Sequence, residues 1–195
     1  MVLLFVAAVV LWIVLGTWGL VRHAGRPPAE SFGSALAHGL PTNPAEAGFN
    51  FETMTYGHGL DVWQVLGLAP DGPVTVLLHD WGRSPITELE QLFRHTSRSS
   101  QVLLPTLRGH GSAADRCTLG PREIEDIDAL LGTLDGPIVL HGRGLGGLIA
   151  LALAHRGSAH VTEAWADTGD GLRRILARSA QPPFPFAWTG RICFP

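Results

Sequence analysis

Pro137-Ile-Val-Leu-His141 is a short apolar strand, and the turn after it, Gly142-Arg-Gly-Leu-Gly-Gly147, leads into an apolar helix. A strand, turn and helix joined by G-x-S-x-G hold a nucleophile on a strained turn, with small flanking residues because strand and helix come close together. Here Gly142 and Gly146 keep the flanks, and Gly144 stands where the nucleophilic serine belongs. The turn therefore points to acyl-transfer chemistry and the glycine to its loss, since a Ser-His-Asp relay works by histidine taking a proton from that hydroxyl. A second reading uses the same residues: Gly142, Gly144 and Gly147 satisfy G-x-G-x-x-G after a strand, and Glu163 or Asp167 follows about 20 residues on, as a ribose ligand would. That reading places a phosphate at the helix N-terminus. Against it, the fingerprint normally opens its domain, whereas two strand-helix units precede this one.

Other nucleophiles are weaker. Ser84 precedes Pro85 and reads as a helix N-cap, Ser112 falls in a turn, and Cys117 approaches a helix with no base beside it. His79, His110 and His141 all fall at strand ends, which would gather them at one edge of a sheet. No carboxylate recurs at ligand spacing, so hydrogen-bonding roles are expected for them and neither a metal nor a cofactor is.

Residues 1–21 carry no charged side chain, include Trp12 and Trp18, and match the length of about 20 residues that crosses a bilayer core. A basic stretch before them is absent and Arg22-His-Ala-Gly-Arg26 is a poor cleavage site, so a transmembrane anchor is expected rather than a cleaved signal. Arg22 and Arg26 flank only its C-terminal end, which places the remainder on the cytoplasmic side. Residues 22–48, with Pro27, Pro28, Pro41 and Pro44, show no clear period and read as a linker. Two alternating segments about Gly57-His-Gly59 predict a hairpin, and from Pro73 onward apolar runs alternate with helical spacing. Ile86, Leu89, Leu92 and Phe93 share one helical side; Gly120-Pro121 opens a helix whose Glu123, Glu125, Asp126 and Asp128 are expected on the solvated face or its rim. The fold class is thus α/β, a mostly parallel sheet with helices on both faces. All 14 basic residues among the 195 are Arg, and the net charge of -3 gives no footprint for nucleic acid. The absence of Lys excludes a P-loop.

Three strand ends carry a resemblance. His79-Asp-Trp-Gly82, Leu107-Arg-Gly-His-Gly111 and Gly142-Arg-Gly-Leu-Gly146, in this order and spacing, resemble the His-Gly turn, the Arg-Gly-His-Gly segment and the elbow of the α/β-hydrolase superfamily. With the apolar N-terminus, the chain is most similar to membrane-anchored hydrolases of the serine aminopeptidase type. The resemblance covers residues 49–178 and implies a hydrolase fold. It makes the backbone N–H groups of Trp81 and Leu145 the oxyanion hole, with His79, Asp80 and His110 at the pocket edge. Asp80 replaces the usual glycine, and Thr106 stands where many relatives have Asp. The resemblance puts the family's acid and histidine beyond later strands; no histidine follows His160, which implies two missing strands and a truncated sheet. The apolar tail, residues 179–195, is expected to cover the resulting edge or to meet a partner. These departures imply a pseudoenzyme that keeps a small ester-like ligand or a protein partner.

Overall fold

In the computed structural model, residues 2–27, 31–57, 59–111, 113, 115–158 and 160–167 are described. The chain opens with a helix, Val2–Ala24 (α1), then a short one, Ser31–Ala37 (α2). An antiparallel hairpin follows, Phe51–Tyr56 (β1) and Leu60–Leu66 (β2). Next come Val74–Leu78 (β3), Leu89–Thr96 (α3), Gln101–Pro105 (β4), Pro121–Leu131 (α4), Ile138–Arg143 (β5), Leu145–Arg156 (α5) and Val161–Asp167 (β6). The sheet runs β1-β2-β4-β3-β5-β6, antiparallel from β1 to β4 and parallel from β4 to β6. Parallel neighbours send every strand's C-terminal end to one edge, and there lie the turns after β3, β4 and β5.

The apolar runs of the central strands are buried on both faces, as a covered parallel sheet requires. Val74, Val76 and Leu78 of β3 join Ile138 and Leu140 of β5, Ile127, Leu130 and Leu131 of α4, and Ile149 and Leu153 of α5 in one cluster. Leu77, with Val102 and Leu104 of β4, meets Leu89 and Leu92 of α3 in a second. The mostly parallel sheet with flanking helices agrees with the sequence. Among the described residues β6 is the outer strand on its side, and Trp165 on it is exposed.

Local readings need correction. Ser84 does not cap: its hydroxyl is buried with no hydrogen-bond partner, and Pro85–Glu88 forms a 3-10 turn before α3 begins. Phe93 is exposed and leaves the apolar side that Leu89 and Leu92 occupy, because α3 starts after that turn and its phase differs from one continuous helix. Glu123 faces inward: fully buried, it accepts hydrogen bonds from Thr118 N–H, Thr118 Oγ1–H and Gly120 N–H at 2.6, 2.6 and 2.8 Å, closing the N-terminus of α4. Burial pushes its carboxyl pKa up, but the Thr118 and Gly120 donors outweigh this and the net shift is downward. The described residues of 22–48 are not a plain linker, since they hold α2, buried Pro27, Thr42 and Pro44, and a turn in which Glu46 accepts from Thr42 and Asn43. Ser112 and the tail, 179–195, lie outside the described residues, as does the end of the 49–178 segment beyond Asp167.

Candidate functional site

The elbow is built by close approach. A Cβ on Gly142 would run into the backbone of Gly146, and one on Gly146 into the carbonyl end of Leu78, so both flanks must be glycine. Gly144 has φ +52° and ψ −113°, strained for any other residue, and donates its N–H to Asp167 O of β6 at 2.8 Å. It is also the N-cap residue of α5 with no side chain to cap it.

Asp80 supplies that cap from 65 positions upstream. Its Oδ1 accepts the N–H of Leu145 at 2.9 Å and the N–H of Trp81 at 2.7 Å. These are the two donors that the family resemblance implies for an oxyanion hole, and the structure brings them onto one oxygen atom. A carboxylate at a helix N-terminus is electrostatically favourable, and two backbone N–H bonds to a charged acceptor hold it strongly. Space decides the direction: a Cβ on Gly144 would fall inside the Asp80 carboxylate. Asp80 and Gly144 therefore form one fitted pair, and the carboxylate stands where a nucleophile side chain and a substrate oxyanion would stand.

The histidines are clamps. His79 is fully buried; its Nδ1 bonds Asp80 O at 2.9 Å and its Nε2 accepts the Leu107 N–H at 3.0 Å, which fixes a neutral ring with the proton on Nδ1. Burial first, and the neighbouring His110 second, lower its pKa to about 3. The unfolded chain then binds the extra proton between about 3 and the ordinary 6.5, so this residue's contribution makes stability rise with pH across that window. His110 lies 4.9 Å from the His79 ring and donates from Nδ1 to Arg108 O at 3.0 Å. The single gathering of three histidines does not occur: His141, on the face of β5 toward α3, pairs with His95 at 5.0 Å instead. Cys117 is buried, and burial pushes its thiol up to about 12, which removes it as a nucleophile.

Beside Asp80 lies a cavity of about 360 Å³, lined by Ala35 and Leu40 from the α2 region, Ile86, Glu88, Glu90 and Arg143 among others. Arg143, the second residue of the elbow, bonds Glu90 at 2.8 Å and approaches Glu88 at 3.9 Å. Sequence reasoning missed this group, because Glu88 and Glu90 sit at ordinary helical positions and nothing in their spacing marks them. Glu88 is buried, and burial pushes its carboxyl up to about 7 against the pull of Arg143. From the ordinary 4.5 to about 7 the folded chain keeps a proton that the unfolded chain has lost, so this group makes stability fall as pH rises through that window. Glu88→Gln is expected to remove that part of the slope, gaining on the parent chain between pH 4.5 and about 7 in urea melts; parallel curves would show that Glu88 is not held protonated.

A larger hollow of about 870 Å³ lies between the hairpin and α4, but no elbow residue lines it. Its Arg108 is committed to Asp126 at 2.6 and 2.7 Å. The Asp80 cavity, lined by Asp80 and by Arg143 of the elbow, is therefore the candidate site.

Sheet order, elbow and the paired N–H donors define a scaffold of the α/β-hydrolase type in which one carboxylate accepts both donors. Comparison with known proteins agrees with that class. The chain belongs to the alpha/beta hydrolase family, whose model matches residues 35–193. It is 40% identical over 84 residues to a pimeloyl-[acyl-carrier protein] methyl ester esterase of Aromatoleum aromaticum, a match that takes in 43% of this chain and 32% of that protein. Among solved structures, it is similar to an esterase of Pyrococcus furiosus, with TM-score 0.63 and 17% identity over 86% of this chain and 67% of that one. An epoxide hydrolase of Vigna radiata gives 0.50 and 20%, over 60% and 37%. At these identities the solved structures speak for the fold alone.

Proposed function

We propose that this chain is a membrane-anchored, non-hydrolytic relative of serine esterases, whose remaining role is to bind a ligand or partner at the cavity beside Asp80. One observation carries this reading: Asp80 Oδ1 already accepts both N–H groups that would stabilise a tetrahedral oxyanion. A substrate carbonyl would have to displace a charged acceptor and then develop its own negative charge beside it. The pairing also counts against a bound dinucleotide, since the helix N-terminus that would hold a phosphate already holds a carboxylate. The test is turnover of p-nitrophenyl butyrate by the full chain in detergent micelles, with labelling by a fluorophosphonate. No rate above buffer and no label are expected. Turnover abolished by replacing one serine or cysteine would sink the reading.

α1 supports the anchor. It is 23 residues long with mean hydropathy 2.4 over its most apolar window, and 6% of that window is buried against the rest of the chain. Burying such a helix in lipid removes apolar surface from water that the domain does not cover. The full chain is expected to stay in the membrane pellet through alkaline carbonate extraction, and the domain to be digested by protease added from the cytoplasmic side. Release by carbonate would end the anchor reading, and protection from protease would reverse the orientation.

A further inference from the structure

The end of α1 is fastened to the oxyanion loop. Trp81 donates from Nε1 to Ala24 O at 3.0 Å, Cys117 donates its N–H to Gly25 O at 3.0 Å, and the His23 ring meets the Trp81 ring edge-on at 6.2 Å. The last carbonyls of a helix need such partners, and here the domain provides them. Trp81 is thus bonded at both ends, its backbone to Asp80 and its indole to the helix exit. The site cannot lie far from the membrane surface if α1 spans it.

α2 follows within a few residues. Phe32 and Leu36 on it, and Leu40 just beyond, whose N–H returns to Ala35 O at 2.9 Å, recur at four-residue spacing. All three are exposed, at 57%, 59% and 59%. The other side of the same helix is committed: Ala35 is 4% exposed and lines the Asp80 cavity. A short helix with one side on a cavity and an apolar stripe outward, next to a membrane span, has the pattern of an interfacial element. Arg22 in the last turn of α1 and Arg26 just past it, with Trp18 under the Arg22 guanidinium at 5.4 Å, are the residue types that settle at the headgroup level.

We propose that the Phe32, Leu36 and Leu40 stripe lies in the bilayer that α1 enters, and that the cavity roofed by α2 receives a membrane amphiphile from that surface. This rests on the anchor reading of α1. Ligand pockets span roughly 300–1,000 Å³, and a cavity of about 360 Å³ suits one head group or a short acyl segment rather than a whole two-chain lipid. Ala35 and Ile86 would meet the apolar part, and Arg143 with Glu88 and Glu90 the polar part.

The test uses the full chain with Cys193→Ser, leaving buried Cys117, and an NBD fluorophore at Leu36→Cys or, as control, at Asp71→Cys before β3. In phosphatidylcholine vesicles the probe at 36 is expected to shift to the blue, brighten several-fold and be quenched by doxyl-labelled lipid, while the probe at 71 stays solvent-like. A fatty acid carrying a diazirine is expected to cross-link to the segment 83–90. A solvent-like probe at 36 in a chain that resists carbonate overturns the proposal and leaves the anchor intact; a chain that carbonate releases removes both. A blue-shifted probe that doxyl lipid does not quench assigns the stripe to protein, either other residues of this chain or a second copy, and overturns it. Cross-links confined to α1 overturn the cavity's role.

Discussion

Gly144→Ser, made alone, is expected to destabilise the protein by about 2–6 kcal/mol, the sum of a strained backbone pair at roughly 1–3 and an overfilled site at roughly 1–3. The strain comes from φ +52° and ψ −113°, and the overfilling from a side chain placed on the Asp80 carboxylate. Only the second part depends on Asp80. Asp80→Gly in the same chain should therefore return about half the loss, and urea unfolding of the two single variants and the double variant would show a coupling above 1 kcal/mol. Additive effects would mean that the two residues do not compete for one space.

Asp80→Ala has a different signature. It leaves the N–H groups of Trp81 and Leu145 without their acceptor, at up to about 3 kcal/mol for buried donors, less what cavity water restores. The hole so opened has the shape and donors of a carboxylate site. Acetate or formate is expected to raise the melting temperature of Asp80→Ala in a saturable way and to leave the parent chain unchanged, with chloride at equal ionic strength as control. Equal responses of the two proteins would show that Asp80 does not occupy the hole. Hydrolysis is not expected to return with the vacancy, because the elbow itself, residues 142–147, carries no hydroxyl or thiol side chain.

Much of this was legible before the structure. The three strand-end segments carry the order and direction of β3, β4 and β5, because glycines at close approaches and apolar runs buried on both faces are local requirements. Asp80 and Gly144 were each visible as departures. Their complementarity was not, since it depends on β3 and β5 lying side by side, 64 positions apart, and on the room that one absent side chain gives another. Glu123 shows a related limit: a carboxylate three residues into a helix has the same spacing whether it faces water or closes the helix end. The 22–48 segment was illegible for another reason, since α2 is too short to display a period and is held by its neighbours rather than by its own sequence.

The cap on α5 has a consequence for the order in which the chain assembles. A helix whose first free N–H waits for a residue 65 positions away cannot complete its start from its own sequence. The elbow's final geometry therefore comes after β3 and β5 pair, and Gly144 also needs Asp167 of β6 for its own N–H. Distant pairings of this kind cost loop entropy before they return anything and slow the search. The turn that would set the chemistry is therefore among the last parts of the molecule to take shape, its carboxylate cap closing only on strands that are already paired.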